Sequence, residues 1–318
     1  MRETVALSRA AEALGYARYW LAEHHNTRGL AGTAPEVLVA RVASATSTIR
    51  VGAGGVLLSH YSPLKVAEVF RVLQALFPGR IDLGVGRTPG ADEVTTAALR
   101  PGPEAYGDEH FPRRVADLVA YLGEGPEADH PHAGARAGPH GAGSPDLWLL
   151  GSSPYSAGLA ATLGLRFCFA QFITPAYGPR IMERYRRRFA PSSTCSSPQA
   201  AVAVSVVCAA TDEEAEALAI SQAVWRLRPE GGRGPVPSPR EASATARDLD
   251  PVTRARMAQD RGRVVVGDPG RVRDEVLSLA GDFDVDEVLV VTVCHDQAAR
   301  RRSYELLARA FELEAPPG

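Results

Sequence analysis

Four consecutive residues, Glu23-His24-His25-Asn26, form the densest group in this 318-residue chain that could do proton chemistry, and they follow the short apolar run Tyr19 to Ala22. A histidine titrates at about 6.5 when unperturbed, so it can take or give a proton near neutral pH. Successive residues of an extended chain point to opposite sides, so only one of the two histidines can readily face a common site. A solvated or structural pair is the plain alternative, and both readings stay open. The pair lacks the i, i+4 spacing of a zinc-binding helix and no second ligand cluster stands elsewhere, so no metal is expected.

Three further motifs could hold a ligand. Gly52, Gly54 and Gly55 lie in the run Val51-Gly-Ala-Gly-Gly-Val-Leu-Leu58. Glycine weakens a strand, so three in one buried run suit either tight packing or a flat ligand against the backbone. Arg80-Ile-Asp-Leu-Gly-Val-Gly-Arg87 ends on a guanidinium that could grip a phosphate in bidentate fashion, or make a surface ion pair. Gly151-Ser152-Ser153-Pro154-Tyr155-Ser156 opens a helix running from about Tyr155 to Leu163. Unpaired N–H groups at a helix start, with the hydroxyls of Ser152, Ser153 and Ser156, make an anion site; N-capping alone would account for one serine. Together with Arg87 this favours a phosphate-bearing cofactor. A Rossmann glycine motif and a P-loop are both absent, which argues against a dinucleotide or ATP held in those ways.

The elements that must position these residues follow from hydrophobic pattern. Seven runs, near residues 17–22, 49–58, 81–86, 147–150, 166–171, 201–208 and 286–293, are almost continuously apolar or small. Parallel strands covered on both faces have that signature. Helical segments lie between them. One has Ser62 as N-cap, Pro63 at its first position and Val66, Val69, Phe70, Leu73 and Phe77 on one face. Another starts at Asp296 and carries Tyr304, Leu307, Ala308 and Phe311 on one stripe. Strand followed by helix, repeated, predicts an α/β fold, and the count favours a (β/α)8 TIM barrel over a doubly wound sheet. The chain opens in a helix, Thr4 to Leu14 with Gly15 as its stop, so the barrel is expected to lack its first strand here. Residues 87–110, 123–146 and 227–262 break the repeat and read as insertions. Residues 1–318 are taken as one domain, since such barrels commonly use about 250 residues.

Composition bounds the partners. A net charge of -2 provides no broad cationic field for nucleic acid. Cys168, Cys195, Cys208 and Cys294 show no close pairing and suggest reduced core thiols. No apolar run is long enough for a signal peptide or a membrane span, so a cytoplasmic location is expected. Of the 35 basic residues only Lys65 is lysine, a bias that fits a GC-rich genome.

The succession Tyr19-Trp-Leu-Ala-Glu-His-His-Asn26, Val51 to Leu58, Gly79 to Arg87 and Gly151 to Ser156 resembles the bacterial luciferase-like, flavin-dependent monooxygenases. The likeness extends to the closing Asp286-Glu-Val-Leu-Val-Val-Thr-Val-Cys-His-Asp296. The resemblance implies a TIM barrel that holds reduced FMN at the carboxyl ends of its strands. It also implies that the flavin arrives from a separate reductase and, with O2, oxygenates a small organic substrate. By the same likeness His24 is an acid/base, Arg87 grips the flavin phosphate with Ser153 and Ser156, and Ser152 and Tyr155 join them. A non-prolyl cis peptide is expected at Gly54-Gly55, under the flavin ring. Relatives often dimerise through helices here near Pro35 to Ala45 and Pro63 to Phe77.

The family's first strand has no counterpart here, and a start codon placed upstream is the expected reason. Two alternatives accompany the monooxygenase reading. One is a deazaflavin-dependent dehydrogenase or reductase on the same fold, suggested by the arginine bias. The other is a flavin-binding barrel without turnover.

Overall fold

The computed structural model describes residues 1–87, 92–99, 108–227 and 234–315. Its eight strands form one parallel sheet: β1 (Arg18–Leu21), β2 (Arg50–Leu57), β3 (Ile81–Gly86), β4 (Asp146–Gly151), β5 (Arg166–Ala170), β6 (Ala200–Cys208), β7 (Val264–Gly267) and β8 (Val288–Val291). The helices in chain order are α1 (Arg2–Ala13), α2 (Pro35–Ala43), α3 (Pro63–Leu76), α4 (Glu93–Leu99), α5 (Phe111–Leu122) and α6 (Pro154–Thr162). They continue with α7 (Gly178–Arg187), α8 (Asp212–Leu227), α9 (Pro239–Arg247), α10 (Pro251–Arg261), α11 (Pro269–Phe283) and α12 (Gln297–Ala310).

Strands β1 to β7 pair in chain order, and β8 returns to pair with β6. The longest strand, β6, meets β5 through Ala200–Ala203, β8 through Val202–Ser205 and β7 through Ser205–Cys208. All seven predicted strands are present. The eighth, β7, was not anticipated, because four residues behind an arginine-rich stretch give little pattern to read. The 227–262 insertion contains α9 and α10, a correction with a physical cause. Only Ala242 of α9 is buried, and no residue of α10 is, so neither helix carries an apolar stripe. Of the 87–110 insertion, residues 92–99 hold α4, while 88–91 and 100–107 lie outside the described residues.

Helix boundaries follow local chemistry. Ser62 accepts from the Lys65 N–H and Pro63 opens α3, as expected; Asp296 caps α12 through Ala299 N–H at 2.8 Å. After α1 the chain turns at Gly15, whose φ is +86° and whose missing Cβ would stand 2.3 Å from the Glu314 carbonyl oxygen. Any side chain there would collide with the tail that follows α12.

Alternation along the strands makes two layers. Val51, Ala53, Ile81, Leu83, Val85, Leu147, Leu149, Phe167, Phe169, Val202, Val204 and Val206 are buried against helices, where they meet Val39, Phe70, Leu118 and Tyr185. The opposite face lines the inside of the curl, with Trp20, Trp148, Leu150, Cys168, Ala201, Ala203 and Leu289 in contact. Towards the strands' amino ends this interior turns ionic. Asp82, fully buried, accepts from Arg18 Nη1 at 2.7 Å, Arg50 Nε at 3.0 Å, Arg50 Nη2 at 2.5 Å and Trp20 Nε1 at 2.9 Å. Arg50 also bonds Asp146 at 2.7 Å, and Arg166 pairs with the same carboxylate.

No described strand joins β8 to β1. Side chains bring the two together instead. Arg18 donates through Nε and Nη2 to the Glu287 carboxylate, just before β8, and its guanidinium lies 5.2 Å from the Trp148 ring centre and 5.7 Å from that of Trp20. Burial pulls the Arg18 pKa down, but Asp82 and Glu287 outweigh it and hold it above its ordinary value. Every residue of β8 remains half-exposed.

Candidate functional site

The loop after β1 carries the histidine pair. Glu23 is buried and its carboxylate gathers three donors: Leu57 N–H at 2.9 Å, the Tyr61 hydroxyl at 2.5 Å and His25 Nε2 at 2.7 Å. His25 is therefore held by Glu23, with its ring edge-on to His60 at 6.2 Å. The His24 backbone N–H donates to Gly32 O at 2.7 Å, folding the loop back on itself. Its half-buried imidazole has no hydrogen-bond partner among the described residues. Burial pushes the His24 pKa below 6.5; the Glu23 carboxylate opposes that and His25 adds to it. A neutral imidazole at pH 7 is ready to accept a proton. Asn26 adopts left-handed backbone with φ of 50° and donates to Asp92, which caps α4 through Thr95 N–H.

The glycine run lies beside this loop. The peptide Gly54-Gly55 is cis, at the point where the β2–β3 register shifts. A Cβ on Gly54 would stand 3.0 Å from the Trp20 ring, one on Gly55 would stand 2.7 Å from Gly84 O, and one on Gly84 would stand 2.4 Å from Ala53 O. Protein packing thus accounts for these glycines. At Gly86, by contrast, an added Cβ would meet nothing within 4 Å.

Arg87 follows at the end of β3, its guanidinium 4.8 Å from the Tyr155 ring centre. The serine turn divides into two kinds of group. Ser153 caps α6, accepting from Ser156 N–H at 3.3 Å, while the Ser156 hydroxyl accepts from Ser153 N–H at 3.4 Å. These two hydroxyls, 3.2 Å apart, satisfy each other's backbone, and Ser156 is buried. Ser152 is half-exposed, with its hydroxyl 3.3 Å from Thr174, and Tyr155 is exposed. Arg87, Ser152 and the Tyr155 N–H in the first turn of α6 form the donor set that an anion could meet, with the capping box as its support.

The structure therefore puts Arg87 and Tyr155 in contact, and places His24 and the Gly54-Gly55 bulge at the carboxyl ends of adjacent strands. Sequence reading missed Glu23 and Tyr61 as its partner. A carboxylate directly before a histidine pair at the end of an apolar run was the available signal. Among the described residues, no three His, Cys, Asp or Glu side chains are placed to hold a metal ion. No described helix is long and apolar enough to cross a membrane.

Residues 1–283 match the model of the luciferase-like monooxygenase family. The uncharacterized protein YceB of Bacillus subtilis is 45% identical over 98% of this chain and 93% of its own length. A luciferase-like monooxygenase of Escherichia coli K12 is 40% identical over 94% of this chain and 88% of its own. Among solved structures, apo-MsnO8 superposes with a TM-score of 0.89 at 44% identity, covering 98% of this chain and 93% of the other. Two more distant structures share the fold. The oxygenating constituent of the 3,6-diketocamphane monooxygenase of Pseudomonas putida, in complex with FMN, has a TM-score of 0.68 at 20% identity, over 96% of this chain and 90% of the other. An F420-dependent secondary alcohol dehydrogenase has 0.67 at 16%, over 96% and 93%. With a curled parallel sheet, a histidine loop at its carboxyl rim and a family match over most of its length, the chain belongs to the luciferase-like monooxygenases.

Proposed function

We propose that this protein is a monooxygenase that uses reduced FMN and O2 to oxygenate a small organic substrate, acting as one barrel unit over residues 1–318. The observation that carries the reading is Arg87 stacked on Tyr155 at the start of α6, on the same rim as the neutral His24. That donor set suits a phosphomonoester: a guanidinium, the Ser152 hydroxyl and a helix-terminal N–H can share a dianion. In this reading the Arg87 stem and the Tyr155 ring orient the phosphate end, Ser153 and Ser156 hold the turn, and the Gly54-Gly55 backbone supports the flavin ring. Bound reduced flavin would supply the activation of O2. An imidazole nitrogen of His24, neutral near pH 7, takes a proton from the reacting centre and returns it later. Trp20, Trp148 and Leu150 keep the interior below dry.

Two neighbours on one fold, one in complex with FMN and one F420-dependent, keep a deazaflavin dehydrogenase or reductase as the second reading. A non-catalytic flavin-binding barrel is the third. In the leading reading a separate reductase supplies the reduced flavin, as the family likeness implies. Exposed Val37 on α2 and Val72 and Leu76 on α3 support a homodimer through these helices. Four buried free cysteines support a reducing, cytoplasmic setting.

The test is binding and turnover together. Calorimetric titration of the purified chain with FMN, riboflavin and F420 should rank FMN first. Oxygen consumption in the presence of reduced FMN, a reductase and a panel of small organic substrates should then depend on His24. Tighter F420 binding with no substrate-linked oxygen uptake would overturn the proposal in favour of the second reading.

A further inference from the structure

We propose that Glu23 is a positioning residue, whose buried carboxylate fixes the His24 loop and the end of β2 as a single piece. This rests on the reading of His24 as the proton carrier.

The geometry is specific. The three donors come from three separate places: His25 in the loop after β1, Leu57 at the last position of β2, and Tyr61 beyond the short 3-10 turn Leu58–His60. Leu57 lies two residues after the Gly54-Gly55 peptide, and His24 is covalently next to Glu23. The carboxylate thus joins the two segments on which the proposed site depends. His60, itself buried, packs edge-on against both His25 at 6.2 Å and Tyr61 at 6.3 Å, so aromatic rings wall the cluster from solvent.

A role in stability alone is a poor account of this arrangement. Burying a carboxylate costs several kcal/mol, and a well-packed apolar side chain would generally hold two segments together at least as well. What an apolar residue cannot do is select one orientation for three donors, or place a negative charge beside His24. That charge opposes the effect of burial on the His24 imidazole, and His25, His60, Tyr61 and Glu36 are the other titratable groups around the cluster. A hydrogen-bonded carboxylate also keeps Tyr61 protonated; burial, then the bond to Glu23, raise that hydroxyl far above the ordinary tyrosine range.

The experiment compares wild type, Glu23→Gln and Tyr61→Phe in the full chain, with histidines labelled for NMR and His24→Gln used to assign the His24 resonance. Glutamine keeps the shape but cannot accept from all three donors and carries no charge. The His24 midpoint in Glu23→Gln should fall by about half a pH unit or more, the effect of one nearby unit charge even in well-solvated surroundings. The Leu57 amide should exchange with solvent about tenfold faster, and the acid limb of the kcat profile should move with the NMR midpoint. A fall in Tm with unchanged His24 midpoint and unchanged Leu57 exchange would overturn the proposal. If Glu23→Gln does not fold, Tyr61→Phe decides: a displaced His24 resonance with faster Leu57 exchange supports positioning, and wild-type values for both refute it. The NMR and exchange readouts need no turnover. They separate failure of this inference from failure of the monooxygenase reading, which His24→Ala with undiminished turnover would signal.

Discussion

Asp82→Asn should be the most damaging conservative substitution in the interior. Asp82 is fully buried and receives four hydrogen bonds, three of them from guanidinium groups whose side chains are only 14% and 27% exposed. Asparagine keeps the volume but points an amide NH2 at one of those cations and removes the charge the two share, leaving Arg18 with Glu287 and Arg50 with Asp146. Breaking a buried ion pair by removing one partner costs about 3–5 kcal/mol. Arg50 is the wetter partner and retains Asp146, so the lower end, about 3 kcal/mol, applies. At roughly 2–4 °C per kcal/mol for a large domain, Tm should drop by about 6–12 °C. Asp146→Asn is the internal control. Its carboxylate is 35% exposed, and the loss there should stay within about 1 kcal/mol. Urea unfolding at pH 7, followed by circular dichroism for both variants, measures the difference. Equal midpoints for Asp82→Asn and Asp146→Asn would refute the claim that the inner carboxylate organises the cluster.

Three other outcomes are expected. Arg87→Lys keeps the cation but loses the bidentate fork and the stack on Tyr155, so FMN affinity should weaken about tenfold in calorimetry while riboflavin, which lacks the phosphate, changes little. Because the folded His24 pKa lies below its unfolded value, the folded state binds fewer protons, and stability falls as pH drops from 6.5 towards the folded pKa. His24→Ala should remove that part of the slope in urea titrations run between about pH 5 and 7. Gly84→Ala would put a methyl 2.4 Å from Ala53 O and 2.9 Å from Leu150, so about 2 kcal/mol or more should be lost in the same unfolding assay.

What could be read from sequence tracks the range of the signal. Strands β2, β3 and β6 announce themselves because burial on both faces forces uninterrupted apolar runs, and α3 does so through its cap and stripe. Local chemistry likewise exposes Arg87 and the serine turn. The interior is different. Arg18 and Asp82 are 64 residues apart, and nothing near either shows that they meet. Glu23 shows the same blindness at shorter range, since its partners Leu57 and Tyr61 belong to another strand and the turn beyond it. The glycine run is plain in the sequence but its cause is not: Trp20 and the carbonyls of Ala53 and Gly84, each distant along the chain from the glycine it meets, occupy the space a methyl would need. Hydroxyl type alone does not show that Ser153 and Ser156 form the capping box of α6.

The Arg18 bridge to Glu287 has a consequence for the shape of the mouth. Elsewhere round the curl, strand spacing is dictated by amide-to-carbonyl ladders running the length of each pairing. Between β8 and β1 a guanidinium buckle at the base takes their place among the described residues, wedged between two indoles. A buckle fixes circumference at one height only. The base is pinned by a charge pair held largely out of solvent and therefore only weakly screened by salt, whereas the rim above it, where His24 sits, lies beyond the reach of that buckle.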